Sequence, residues 1–150
     1  MNTSKIQCGF SFIELIVALV IFVVLAAVAY PGYQSSILKI RRAEARSALH
    51  ALLLQQERYY TEHNTYYAFN AGTANSPFKW WSGNSAAESY YEMQATPCTN
   101  KLLIQCVLLT ATPGTENVKS GSDPLCGNLM LDSANNKSYS IDTVPNPSCW

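Results

Sequence analysis

The residues of this sequence whose types and spacing could do chemistry are five cysteines, two histidines, three aspartates near the carboxyl end and one isolated glutamate. Four of the cysteines, Cys98, Cys106, Cys126 and Cys149, lie in the polar second part of the chain. An even set in a polar domain, with no C-x-x-C pair, points to two disulfides made in an oxidising compartment. Four cysteines allow three pairings, and locality favours Cys98 with Cys106 and Cys126 with Cys149. His50 and His63 sit in no nucleophile motif, and there is no H-E-x-x-H, phosphate loop or EF-hand spacing. Asp123, Asp132 and Asp142 lack the neighbours of a calcium loop and read as surface acids and loop starts. Enzyme chemistry is therefore not expected, nor any cofactor or metal.

Glu14 is the only charge in the run Phe10–Tyr30, FSFIELIVALVIFVVLAAVAY. As a helix this run rises about 31 Å, enough to cross a hydrocarbon core. A carboxylate left ionised and unpaired there costs on the order of a few kcal/mol. It is tolerated if it finds a cation, such as a free amino terminus held nearby. The rival reading is a secretory signal, with Lys5 in front and a small-residue cleavage site at Ala27-Val28-Ala29, which would release a secreted soluble disulfide domain. Leu15–Tyr30 already exceeds the usual apolar stretch of about 7–15 residues, which favours a retained helix. Lys39, Arg41 and Arg42 follow the helix and Lys5 precedes it, so a simple positive-inside count would place the body in the cytoplasm. The cysteines argue for the opposite side and outweigh a charge difference of about one.

The elements around these residues follow from composition and period. The chain has 150 residues, 10 Lys+Arg against 10 Asp+Glu, and only 13% charged residues, which excludes binding by bulk basic charge and an acidic tail protein. After Pro31 a second helical stretch is expected to about Glu62, with Ala45, Leu49, Leu52, Leu53, Gln56 and Tyr60 as a stripe against a sheet. Lys39, Arg42 and Arg46 fall on another face, read as solvated or subunit-contacting in preference to DNA-binding. Residues 63–88 read as a long ordered loop, with one ring of Trp80-Trp81 plugging the sheet edge. Four strands are expected, Ser89–Ala95, Ile104–Thr112, Asn128–Ser133 and Lys137–Asp142, with a hairpin turn at Ala134-Asn135-Asn136. The fold class is α+β: a long N-terminal helix, membrane-spanning in its first half, packed on a short four-stranded antiparallel sheet.

Gly9-Phe10-Ser11-Phe12-Ile13-Glu14, the apolar helix and Tyr30-Pro31-Gly32-Tyr33 together closely resemble the amino terminus of type IV prepilins. The resemblance implies a leader Met1–Gly9, cleavage between Gly9 and Phe10 by a membrane prepilin peptidase, and N-methylation of Phe10. It implies a transmembrane and filament-core helix over 10–31, kinked at Pro31, and a pilin head over 32–150 on the periplasmic or outer side. In the family Glu14 would pair with the terminal amine of a neighbouring subunit. The chain departs from the common pattern in having no glycine between Gly9 and Gly32. Cys8 would be lost with the leader.

Arg41-Arg42-Ala43-Glu44-Ala45-Arg46, with Glu57-Arg58-Tyr59-Tyr60-Thr61 and Thr65-Tyr66, is similar to a subgroup of minor pilins that includes a DNA-binding competence pilin. Cys126 to Asp132 with the final Cys149-Trp150 resembles the carboxyl-terminal disulfide loop of many pilins. The implied function is a structural pilus subunit, stored in the inner membrane and assembled into an extracellular filament. Its implied partners are other pilin subunits, prepilin peptidase, inner-membrane assembly machinery and the membrane itself. A DNA-binding competence pilin ranks second, because after Arg58 only Lys79, Lys101, Lys119 and Lys137 are basic. A secretion-system pseudopilin ranks below both.

Overall fold

The computed structural model describes residues 11–141 and 148–150, residue 31 by its backbone alone. The leader with Lys5, Cys8 and Gly9, together with Phe10 and Asp142, lies outside the described residues. The chain divides into two units at Ile37/Leu38.

The helix α1 is a single element, Phe12–His63, of 52 residues. Helical backbone continues through Pro31, so the stretch after it belongs to the same long N-terminal helix, as expected. Ser11-Phe12-Ile13-Glu14 forms one half of a capping box, the Glu14 Oε2 accepting the Ser11 N–H at 3.2 Å. At the other end Asn64 takes a left-handed backbone (φ 55°) and its N–H donates to the Tyr60 carbonyl at 2.8 Å, which stops the helix. In the first unit the apolar side chains are bare; Phe12, Phe22 and Val28 are each at least three-quarters exposed. That is the surface of a helix meant for lipid or for other helices.

In the second unit the sheet is a meander of four antiparallel strands in the order β1-β2-β3-β4: Tyr91–Pro97, Val107–Pro113, Leu129–Asp132 and Lys137–Tyr139. Alternation buries Tyr91, Met93 and Ala95 of β1 and Leu129 and Leu131 of β3, as the sequence predicts. Val107, Leu109 and Ala111 do the same from β2. Against them pack Ala45, Leu49, Leu52 and Gln56 of α1, with Leu53 and Tyr60 only partly buried.

The strand boundaries differ from expectation for local reasons. β2 starts at Val107 rather than Ile104, because Leu102–Cys106 is a turn whose Gln105 and Cys106 amides both bond the Leu102 carbonyl. β1 starts at Tyr91, since the Ser89 amide and hydroxyl are taken by Ser85. The β3–β4 turn falls as predicted, with Asp132 Oδ1 accepting the amides of Ala134 and Asn136 at 2.9 and 2.8 Å.

Residues 64–90 are irregular but tied down. Phe69 exchanges two backbone bonds with Ala95, the Ser82 amide bonds the Tyr91 carbonyl, and the Met93 amide bonds the Trp80 carbonyl. The segment thus covers the free edge of β1, which would otherwise present unpaired amides. Gln56 anchors its start. The buried Gln56 amide donates to the Tyr67 carbonyl at 2.8 Å and accepts the Tyr67 N–H at 2.9 Å.

Candidate functional site

Both disulfides pair as locality predicts. Cys98–Cys106 closes the β1–β2 connection over a separation of 8 residues, and Cys126–Cys149 ties the chain end back over 23. The second bridge lies beside a buried ion pair that the sequence reading missed. Arg42 Nε and Nη2 reach Asp123 Oδ2 and Oδ1 at 2.6 and 2.7 Å, a two-pronged contact with both side chains almost wholly buried.

The remaining capacity of the carboxylate is filled as well. The Tyr91 hydroxyl donates to Oδ2 at 3.0 Å, and the Leu125 and Cys126 amides donate to Oδ1 at 3.2 and 3.1 Å. Burial by itself would raise the Asp123 carboxyl. The Arg42 guanidinium, the Cys126 amide and the Tyr91 hydroxyl outweigh burial and hold it below the ordinary carboxylate range. Asp123 in turn raises Arg42, and burial followed by the Asp123 charge pushes the Tyr91 phenol up. Gly127 completes the turn with φ 61°; a Cβ there would collide with the Ser140 hydroxyl.

Two readings are corrected here. Arg42 is not part of an exposed basic face: at 2% exposure it heads the buried stripe Arg42, Ala45, Leu49, Leu52, Gln56, whose three- and four-residue steps already place it there. Asp123 is likewise no surface acid but the counter-charge that makes burying Arg42 tolerable. The other two residues of the expected face divide, Lys39 being exposed and Arg46 half-buried. Asp132 is spent on the hairpin turn, also accepting the Asn136 side-chain amide at 2.8 Å. Among the described residues no group of three or more His, Cys, Asp or Glu is placed to hold a metal.

The outer surface of the head sets cations against aromatic rings. The Arg41 guanidinium lies 3.4 Å from the Tyr90 ring centroid, with Lys119 Nζ at 5.2 Å from the same ring. Hydrogen bonding to Lys119, and then the charge of Arg41, outweigh burial and lower the Tyr90 phenol. Lys79 stands 5.8 Å from the Trp81 centroid and Lys137 5.6 Å from that of Trp150. The Trp150 indole is fixed by donating to the Ser138 carbonyl at 2.8 Å. Interleaved cations and flat rings are the side chains that track a nucleic-acid strand. Sequence reasoning listed the lysines without their ring partners, which the topology alone brings together. Trp80 and Trp81 are both half-buried, and their backbone does line the edge of β1.

Glu14 sits in the first turn of α1, with the Ser11 amide as its one hydrogen-bond partner among the described residues. Pro31 lies within the same helix.

A bare membrane-length helix leading to a disulfide-tied α+β head defines a pilin type of subunit. The comparisons specify which. Residues 31–130 match the family described as "Type IV minor pilin ComP, DNA uptake sequence receptor", and residues 4–30 match the prokaryotic N-terminal methylation motif. The chain belongs to this type IV minor pilin family. The solved structure of a type IV pilin from Shewanella oneidensis is similar at 27% identity and TM-score 0.45, covering 75% of this chain and 97% of that one. No curated protein matches in direct sequence comparison.

Proposed function

We propose that this chain is a pilus subunit whose head contacts DNA during uptake. The observation that carries this reading is the match over 31–130 to a family described as a DNA uptake sequence receptor, because it spans most of the head. It moves DNA from the second-ranked partner to the first. The cation–ring pairs at Tyr90, Trp81 and Trp150 support it chemically. With 10 basic against 10 acidic residues, affinity has to come from local placement rather than net charge. In this reading prepilin peptidase cuts between Gly9 and Phe10, residues 10–31 hold the subunit in the inner membrane with the head outside, and Pro31 bends the helix. Glu14 then pairs with the amine of a neighbouring Phe10 as the filament grows, alongside other pilins and the inner-membrane assembly machinery.

The test is a gel-shift titration of the full chain in detergent against duplex DNA across salt concentrations. Retardation that weakens steeply with salt is expected, and Arg41→Ala and Lys119→Ala should each lower the log–log salt slope by about one. Absence of retardation at low ionic strength would overturn the DNA role and leave a purely structural filament subunit.

A further inference from the structure

A cavity of about 330 Å³ opens in the head between α1 and residues 79–82, with no residue of the ion pair or the disulfides in its lining. Ala48, Ala51, Leu52 and Met93 give it apolar surface, and Trp81 adds an aromatic wall. Glu44 and Ser47, and Gln55 two turns further along α1, line it, and Ala48 and Ala51 between Ser47 and Gln55 leave the room that larger side chains would fill. Glu44 is oriented: its Oε1 accepts the Ser82 hydroxyl at 2.6 Å, while Oε2 has no donor among the described residues. Gly83 permits this approach, since a Cβ there would stand 3.1 Å from Glu44 Oε1. Lys79 also lines the cavity, and its ammonium is held to the Gly83 carbonyl. The Trp81 indole N–H is shielded from solvent and has no acceptor among the described residues.

An aromatic face, a free carboxylate oxygen, a free amide and a cation are the groups that recognise one unstacked base with its phosphate. We infer that this cavity takes a single nucleobase bearing an exocyclic amino group (adenine, cytosine or guanine, not thymine) from a single-stranded end or a splayed strand. The ring stacks on Trp81, the amino group donates to Glu44 Oε2, the Gln55 amide meets the base edge, and Lys79 meets the phosphate. A thymine offers Glu44 only its N3–H, flanked by two carbonyl oxygens that repel the carboxylate, and binds more weakly. The carboxylate keeps phosphate itself out of the cavity.

This inference rests on the head being a DNA surface, and the experiment separates the two. Full chain in detergent is titrated with labelled oligo-dC, oligo-dA and oligo-dT and with a blunt duplex, with dCMP as competitor to distinguish a free nucleotide from a strand. Oligo-dC and oligo-dA are expected to bind about tenfold tighter than oligo-dT and to quench tryptophan fluorescence. Ala51→Leu, at an exposed helix position that tolerates leucine, should weaken oligo-dC about tenfold and leave the duplex unchanged. Glu44→Gln should erase the preference over oligo-dT. Equal binding of all three oligonucleotides with no effect of Ala51→Leu would overturn the cavity assignment. Duplex binding without single-strand binding removes this inference alone, and loss of both removes the DNA role as well.

Discussion

Two carboxylates in apolar surroundings, Asp123 in the head and Glu14 in the membrane-length helix, meet the same physical problem in opposite ways. Asp123 receives five hydrogen bonds from Arg42, Tyr91, Leu125 and Cys126, all within its own unit. Glu14 receives one, from the backbone amide of Ser11. An ionised group in a low-dielectric setting is stable only with a counter-charge. The head therefore closes its electrostatics internally and can be complete as a single chain. Among the described residues the anchor offers Glu14 no counter-charge, only the Ser11 amide. The first arrangement builds a stable fold; the second, on the proposed pairing with a neighbouring amine, builds an assembly signal.

Breaking the closed side of this comparison should give the largest effect. Arg42→Met keeps volume and removes the cation, leaving Asp123 buried and unpaired, and should destabilise the head by about 3–5 kcal/mol in chemical unfolding of the full chain in detergent. The pH profile sharpens the point. Because the folded Asp123 carboxyl lies below its ordinary 3.8, its contribution is present above that value and is lost as pH falls through the lower folded one. In Arg42→Met the carboxyl moves upward and this acid limb shrinks. On the alkaline side the raised Tyr91 phenol contributes stability below its ordinary 10.0 that is lost as pH rises through the folded value, and Tyr91→Phe should flatten that limb.

The disulfides give the next largest effects and a ranking. On the chain-entropy account, the loop closed across 23 residues stabilises by about 3–4 kcal/mol, and that across 8 by about 2–3 kcal/mol. Cys126→Ser/Cys149→Ser should thus cost more than Cys98→Ser/Cys106→Ser in the same unfolding assay. The gap should widen further because the Cys126–Cys149 bridge adjoins the Asp123 turn, whose geometry the Arg42 pair depends on. Equal costs for the two pairs would show that the C-terminal bridge and the ion pair are independent devices.

Gln56→Leu probes a neutral version of internal closure. It strips both partners from Tyr67, and a loss of about 2 kcal/mol is expected from the orphaned carbonyl and amide. Thermal unfolding of this variant beside Gln56→Glu reads the contribution. At neutral pH the buried carboxylate, with no cation among its described partners and facing the Tyr67 carbonyl, should cost more than leucine. At acid pH the protonated acid, which can make both bonds, should recover part of the loss.

What the sequence made legible follows the same division. Periodicity exposed the apolar stripe, the alternating strands and the bare first helix, because each is a local pattern whose period reflects geometry. Locality picked both cysteine pairs. The Arg42–Asp123 contact was illegible, since it joins residues 81 apart and neither is marked by its neighbours. Arg42 did carry a signal in its step of three from Ala45, which charge alone led the reading to override. Strand limits shifted by two or three residues where turns took over the amides, at Ser89 and at Leu102–Cys106. The ring partners of Lys79, Lys119 and Lys137 needed the chain to be folded before they could be seen.

The smallest effect on the head belongs to the open side of the comparison. Glu14→Gln keeps the shape of the side chain and an acceptor for the Ser11 amide, so the helix start survives. Unfolding of the head should change by less than about 0.5 kcal/mol, the range of substitutions remote from packed features. What the variant removes is the negative charge for which the chain offers no cation among the described residues. If that charge is completed by a neighbouring amino terminus, Glu14→Gln should be processed and stored in the membrane at normal levels yet fail to enter filaments, as read by the ratio of sheared-fibre to membrane-bound subunit. A normal ratio would mean that the carboxylate serves only to cap its own helix. The contrast with Asp123 would then be one of degree, two acids satisfied locally, and the assembly signal would have to lie elsewhere on the apolar surface of α1.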